Sequence, residues 1–195
     1  MTSFARGACA LVIASAHAAN LVETLSAAFD AAAKSSQERA NTALESFRSM
    51  AGNRGARGIL CGPIHASDVL TLGPPLPGIY IDRSKLELYN KEPARMAGDF
   101  DELVYPVLRN RKLCGAEVLQ RTTANWKLVE FRDAQFLVSA QASQFYIQFT
   151  GLDAAFIGRL EADRVTIAPL TQFRGMKPVD YIPIEAAFSQ LLEAR

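Results

Sequence analysis

The chain has 195 residues, 49% hydrophobic and 21% charged, with a formal net charge of +1. This is the composition of a folded globular chain and excludes an extended, highly charged disordered protein. The even charge excludes whole-chain attraction to nucleic acid or an anionic membrane, and no run of eighteen apolar residues offers a stable membrane span.

The chain opens on "ARGACALVIASAHAAN", residues 5–20. Arg6 supplies a basic start, Gly7 to Ala16 an apolar segment, and Ala16-His17-Ala18 the small residues that precede a cleavage point after Ala18. These are the parts of a secretory signal in their proper order. They predict a signal peptide over residues 1–18 and a periplasmic or secreted protein. The alternatives are a retained N-terminal helix in a cytoplasmic protein, or a mitochondrial presequence, since no acidic residue precedes Glu23. Loss of Arg6 with the segment leaves 20 basic and 20 acidic residues.

Cys9 falls inside that segment, so export leaves Cys61 and Cys114. An even number in an oxidising compartment predicts a Cys61–Cys114 disulfide. It would close a loop of about 54 residues, which chain-entropy arithmetic values at about 4 kcal/mol. Two free buried thiols are the alternative.

Residues 19–195 are expected to form a single α+β domain: an N-terminal amphipathic helix or helix pair, a central antiparallel β-meander and a C-terminal amphipathic helix. Over residues 20–50, Leu21, Leu25, Ala28, Phe29 and Ala32 recur at helical spacing, and Ala40, Ala43, Leu44, Phe47 and Met50 resume it. Asn20 and Glu23 have the spacing of a capping box, and Lys34-Ser35-Ser36 is a polar point at which two helices would divide. "AGNRGARG", residues 51–58, reads as a Gly/Arg linker to the sheet region.

"GILC" and "VLTL" read as strands, and "GPPLPG", residues 73–78, as a rigid connector. "IYID" and "KLELYN" alternate apolar and polar residues, which predicts a hairpin turning at Arg83-Ser84. Residues 98–112 start as a helix capped by Asp99 and stopped by Pro106. "NWKLVEF", "QFLVSA" and "QFYIQFT" read as three strands, joined by loops short enough to require antiparallel neighbours. A helix over 152–162, a strand at "RVTIAPL" and a helix from Pro183 complete the chain.

Catalytic residue types are scarce. His17 lies in the candidate signal, which leaves His65. His65, Ser67 and Asp68 are close in sequence, but no nucleophile-elbow G-x-S-x-G exists. The catalytic candidates are Cys61 and His65, because an imidazole beside a thiol lowers its pKa and creates a nucleophile. Cys61, His65, Cys114 and Asp68 are ligand types for zinc or copper, but without a second closely spaced pair no metal site is predicted. No cofactor motif is found. Asp82, Glu87, Glu92, Asp99, Asp101 and Glu102 are too scattered to read as a glycosidase pair. "RNRK", residues 109–112, with Arg121, Lys127 and Trp126, is interleaved with Glu117, Glu130 and Asp133, so nucleic acid is not an expected partner.

The expected function is an exported, non-catalytic binding or accessory protein for a partner protein or small ligand. Trp126, Lys127, Tyr146 and Gln148 are the expected contact surface, since aromatics on an exposed sheet face anchor interfaces. One alternative is a thiol-dependent enzyme using Cys61 and His65. The other is a structural subunit of an intracellular or organellar assembly that keeps its N-terminal helix.

Overall fold

The computed structural model describes residues 5–51, 64, 65, 67–123, 125–132, 137, 143–152, 154–178 and 180–193, with backbone alone over 5–19 and at 50 and 51. The elements in order are α1 (Ala5–Ala51), β1 (Leu70–Leu72), β2 (Leu76–Ile81), α2 (Arg83–Lys91), a 3-10 turn (Pro93–Gly98), β3 (Phe100–Arg109), β4 (Lys112–Arg121), β5 (Trp126–Arg132), β6 (Gln144–Phe149), β7 (Ala154–Leu160), β8 (Val165–Pro169), β9 (Ile182–Pro183) and α3 (Ile184–Glu193). The fold is α+β, as expected, with a mostly antiparallel sheet. None of the described helices is long and apolar enough to cross a membrane.

The chain divides into two compact units. The α2–α3 unit holds Met1–Phe29, Tyr80–Asp99 and Phe145–Arg195; the hairpin unit holds Asp30–Ile79 and Phe100–Gln144.

In the hairpin unit the strands run in the order β5-β4-β3-β2, and β1 also pairs with β3. The β3–β4 hairpin turns at Asn110 and Arg111, both with positive φ (50° and 67°), the conformation of a two-residue turn that suits the twist of its strands. From α1, Ala32, Ser36, Ala40, Ala43 and Phe47 are buried. Phe47 packs edge-on against Phe131 of β5, ring centroids 5.2 Å apart.

In the α2–α3 unit the order is β2-β6-β7-β8-β9. Leu21, Leu25 and Phe29 of α1 are buried, and Phe29 meets Phe145 at 5.6 Å between centroids. A Phe149, Phe156 and Phe188 cluster makes the core under α3, with centroids 5.3 Å and 6.1 Å from Phe149.

Several expectations are corrected. Lys34-Ser35-Ser36 does not divide α1, which is one helix of 47 residues. Ser36 is fully buried, and its hydroxyl bonds the Ala32 carbonyl at 2.8 Å within the helix. Asn20 is therefore internal to α1 rather than its cap.

Residues 83–91 are helix α2, not the second strand of a hairpin. Asp82 accepts from the Lys85 backbone N–H at 2.8 Å, which starts the helix. Leu86 and Tyr89 then bury one face at helical spacing.

Residues 100–109 are strand β3, not helix. Asp99 accepts a hydrogen bond from the Tyr89 hydroxyl. Pro106 is tolerated mid-strand because of where its missing N–H would point. Its carbonyl accepts from Gly73 N–H at 2.8 Å, on the side where β1 has ended and β2 has not begun. Residues 112–121, unassigned from sequence, form β4, paired along β3.

Residues 154–160 are strand β7 rather than helix. Ala154, Phe156 and Gly158 are buried in alternation. Gly158 passes so close to the Phe145 ring that an added Cβ would lie 2.2 Å from it. The strands at 126–132, 144–149 and 165–169 and the C-terminal helix are as expected. "GILC", the Gly/Arg linker after Ala51 and all of "QFLVSA" but the buried Leu137 lie outside the described residues.

Candidate functional site

A concavity lies in the α2–α3 unit. Three local features build it. β2 ends at Ile81, and the chain enters α2 through the Asp82 cap. β6 ends at Phe149 and turns through Gly151, whose φ of +85° is open to glycine at little cost. The Thr150 N–H and hydroxyl both donate to the Ile81 carbonyl, at 2.9 Å and 3.2 Å, which pins that turn beside the start of α2. α3 then closes one side with Leu191 and Leu192, and its Ser189 hydroxyl donates to Asn90 of α2 at 3.1 Å.

The result is a cavity of about 180 Å³. Six apolar side chains line it, Ile81, Leu86, Phe149, Leu152, Leu191 and Leu192, together with Asp82, Arg83, Thr150 and Gly151. The polar groups around it are committed elsewhere. The Asp82 carboxylate is held below the usual carboxylate range, first by the Lys85 N–H and then by the Ser84 hydroxyl. Because Asp82 already caps α2, the helix's positive end is satisfied internally. Arg83 pairs with Glu87 at 3.4 Å. Among the described residues lining it, no nucleophile, base and orienting acid converge.

The residues expected from sequence lie in other places. His65 is exposed. Asp68 does not orient its ring: the carboxylate accepts from the His65 backbone N–H at 2.7 Å and pairs with Arg109 at 3.1 Å. These contacts, the His65 N–H first, lower the Asp68 pKa. Asn110 also donates to this carboxylate at 3.3 Å, and Arg48 to the Asp68 carbonyl at 3.3 Å. Asp68 therefore ties a loop to the β3–β4 turn and to α1. Cys61 lies outside the described residues. Cys114 is fully buried in a cluster with Phe47, Leu70 and Val107, against which Ile64 packs. No group of three or more possible metal ligands occurs among the described residues.

The expected contact surface loses its main anchor. Trp126 is only 7% exposed; its Nε1 donates to Ser35 at 2.9 Å, and its ring stacks on Phe100. Tyr146 is also buried, packed edge-on to Tyr80, while Lys127 is exposed and Gln148 half-buried. Trp126 and Lys127 belong to the hairpin unit, Tyr146 and Gln148 to the α2–α3 unit.

Glu117 was not singled out from sequence and is the most unusual titratable group described. It is fully buried in β4, and burial pushes its carboxyl up to about 8. A single acid inside the apolar run "LCGAEVL" is the signal that marks it. The chain matches no family model, no curated protein and no solved structure.

Proposed function

We propose that this chain, with no family to speak for it, is a non-catalytic binding protein that takes a small, mainly apolar molecule in the cavity between α2, α3 and the β6–β7 turn. The observation that carries this reading is the cavity itself: about 180 Å³, walled by six apolar side chains, with its neighbouring polar groups already engaged. A closed apolar cavity of about 150 Å³ holds a benzene-sized molecule, so the fit is to a single ring or a short alkyl chain. An exported setting suits the reading, with residues 1–18 removed and Cys61 bonded to Cys114. Ile64 supports that bridge, since it packs on the Cys114 cluster and lies three residues from Cys61. Three residues span at most about 10 Å.

Toluene and hexanoate titrated into the isotope-labelled full chain test the site. Saturable shifts confined to residues 81–86, 149–152 and 191–192 are expected, and Leu192→Trp, which fills the cavity from a half-buried position, should remove them. Shifts that never saturate, or binding equal in Leu192→Trp, would sink the reading.

A further inference from the structure

Glu117 pairs directly with Tyr105 of β3 on one side and with Phe131 of β5 on the other. Directly paired residues in an antiparallel sheet project to one face, so the three side chains form a row across the hairpin unit. α1 covers that row. The Tyr105 and Ser36 hydroxyls are 2.7 Å apart, and the Tyr105 hydroxyl also donates to the Ala33 carbonyl at 3.3 Å. Phe47, farther along α1, packs on Phe131.

Glu117 has no accessible surface, and neither carboxyl oxygen has a hydrogen-bond partner among the described residues. The groups facing it are few. From β3 the titratable one is Tyr105, which burial raises and the Glu117 charge raises further. From β5 it is Phe131, which is uncharged. From α1 the buried positions are Ala32, Ser36, Ala40, Ala43 and Phe47; Asp30, Lys34, Glu38, Arg39 and Glu45 are exposed, and half-buried Arg48 is engaged with the Asp68 carbonyl. Among the described residues nothing on this face compensates a negative charge, and a buried uncompensated carboxylate is strongly disfavoured.

We propose that Glu117 is a proton-operated latch: while its carboxyl keeps a proton, the Asp30–Phe47 segment of α1 stays seated on the β3-β4-β5 face, and losing that proton favours an unseated state in which water reaches the carboxylate. The direction follows from proton linkage. The seated state keeps its proton up to about pH 8, whereas a hydrated carboxyl loses it from its ordinary value of 4.5 upward. Seating is thus strongest below the hydrated value. It weakens as pH rises between the two, by about tenfold in the seated-to-unseated ratio per pH unit, and levels off above the seated value.

Amide exchange on the full chain from pH 5 to pH 8, corrected for the intrinsic pH dependence of exchange, tests this. Protection of amides in 30–47 should fall by about tenfold per pH unit, while that of β7 and β8 holds. In Glu117→Gln, protection of 30–47 should not vary with pH. A parallel loss in β7 and β8, or the same decline in Glu117→Gln, overturns the latch. Should that variant not fold, carboxyl-carbon resonances of the unmodified chain decide. A Glu117 midpoint well above the usual carboxylate range is expected, and an ordinary midpoint overturns the proposal.

Discussion

At the scale of single residues, the β3–β4 turn shows a conformation held against the preference of one side chain. Asn110 adopts positive φ readily, but Arg111, at 67°, stands where such turns favour glycine. Its Cβ meets the carbonyl crowding that disfavours left-handed backbone in L-residues, while glycine escapes it. Arg111→Gly should stabilise the protein by about 1 kcal/mol, read from the urea midpoint at constant m-value. A lower midpoint would mean that the Arg111 side chain makes a compensating contact. Tyr105 and Glu117 carry the complementary lesson. They are neighbours only because β3 and β4 pair in one register, and the environment of Glu117 depends on α1, some eighty residues earlier in the chain. The one sequence sign of this is an acid in an apolar run, which says that the residue is unusual without saying what covers it.

At the scale of elements, α2 shows how one capping side chain decides between helix and strand. "KLELYN" alternates well enough for a strand, and Leu86 and Leu88 would share a strand face. Asp82 tips the balance by taking the Lys85 N–H, after which Leu86 and Tyr89 bury together. Asp82→Ala should loosen the first turn of α2, seen as roughly fivefold faster exchange of its capped amides. Because the folded state lowers the Asp82 pKa, the cap's support is present above the ordinary carboxylate value. It is lost as pH falls through the folded one. Asp82→Asn, which still offers an acceptor oxygen, should keep the cap but lose this acid dependence. Exchange at Lys85 and Leu86 that is unchanged in Asp82→Ala would show that the cap is not what starts the helix. β3 and β7 were misread for a related reason. β3 is buried along most of its length, and a strand covered on both faces shows no period-2 pattern. In β7 the buried alternation runs through Ala154 and Gly158, too small to register as apolar marks.

At the scale of the whole molecule, compartment and sulfur state are tested by one measurement. The intact mass of the protein from its native host should correspond to a chain beginning at Ala19. It should drop by about two hydrogen masses relative to the reduced form, the mark of one disulfide. A chain beginning at Met1 or Thr2 with three alkylatable cysteines would overturn export and the Cys61–Cys114 bridge together, and would favour an intracellular subunit. Rapid alkylation of Cys61 alone near neutral pH would instead favour the thiol enzyme.

By itself the sequence determined the α+β class, the strands at 126–132, 144–149 and 165–169 and the C-terminal helix. It did so because loud side chains such as Phe145, Ile147 and Phe149 recur at a strand's spacing, and Ile184, Phe188 and Leu191 at a helix's. Only the tertiary structure decided that Trp126 is a core residue bonded to Ser35, that Leu191 and Leu192 line a cavity with Ile81 and Phe149, and that burial raises the Glu117 carboxyl. Each of these depends on which distant segment arrives to exclude water, and a local pattern holds no record of that arrival. Desolvation and cavity shape are set by neighbours in space, whereas periodicity and capping are set by neighbours in the chain.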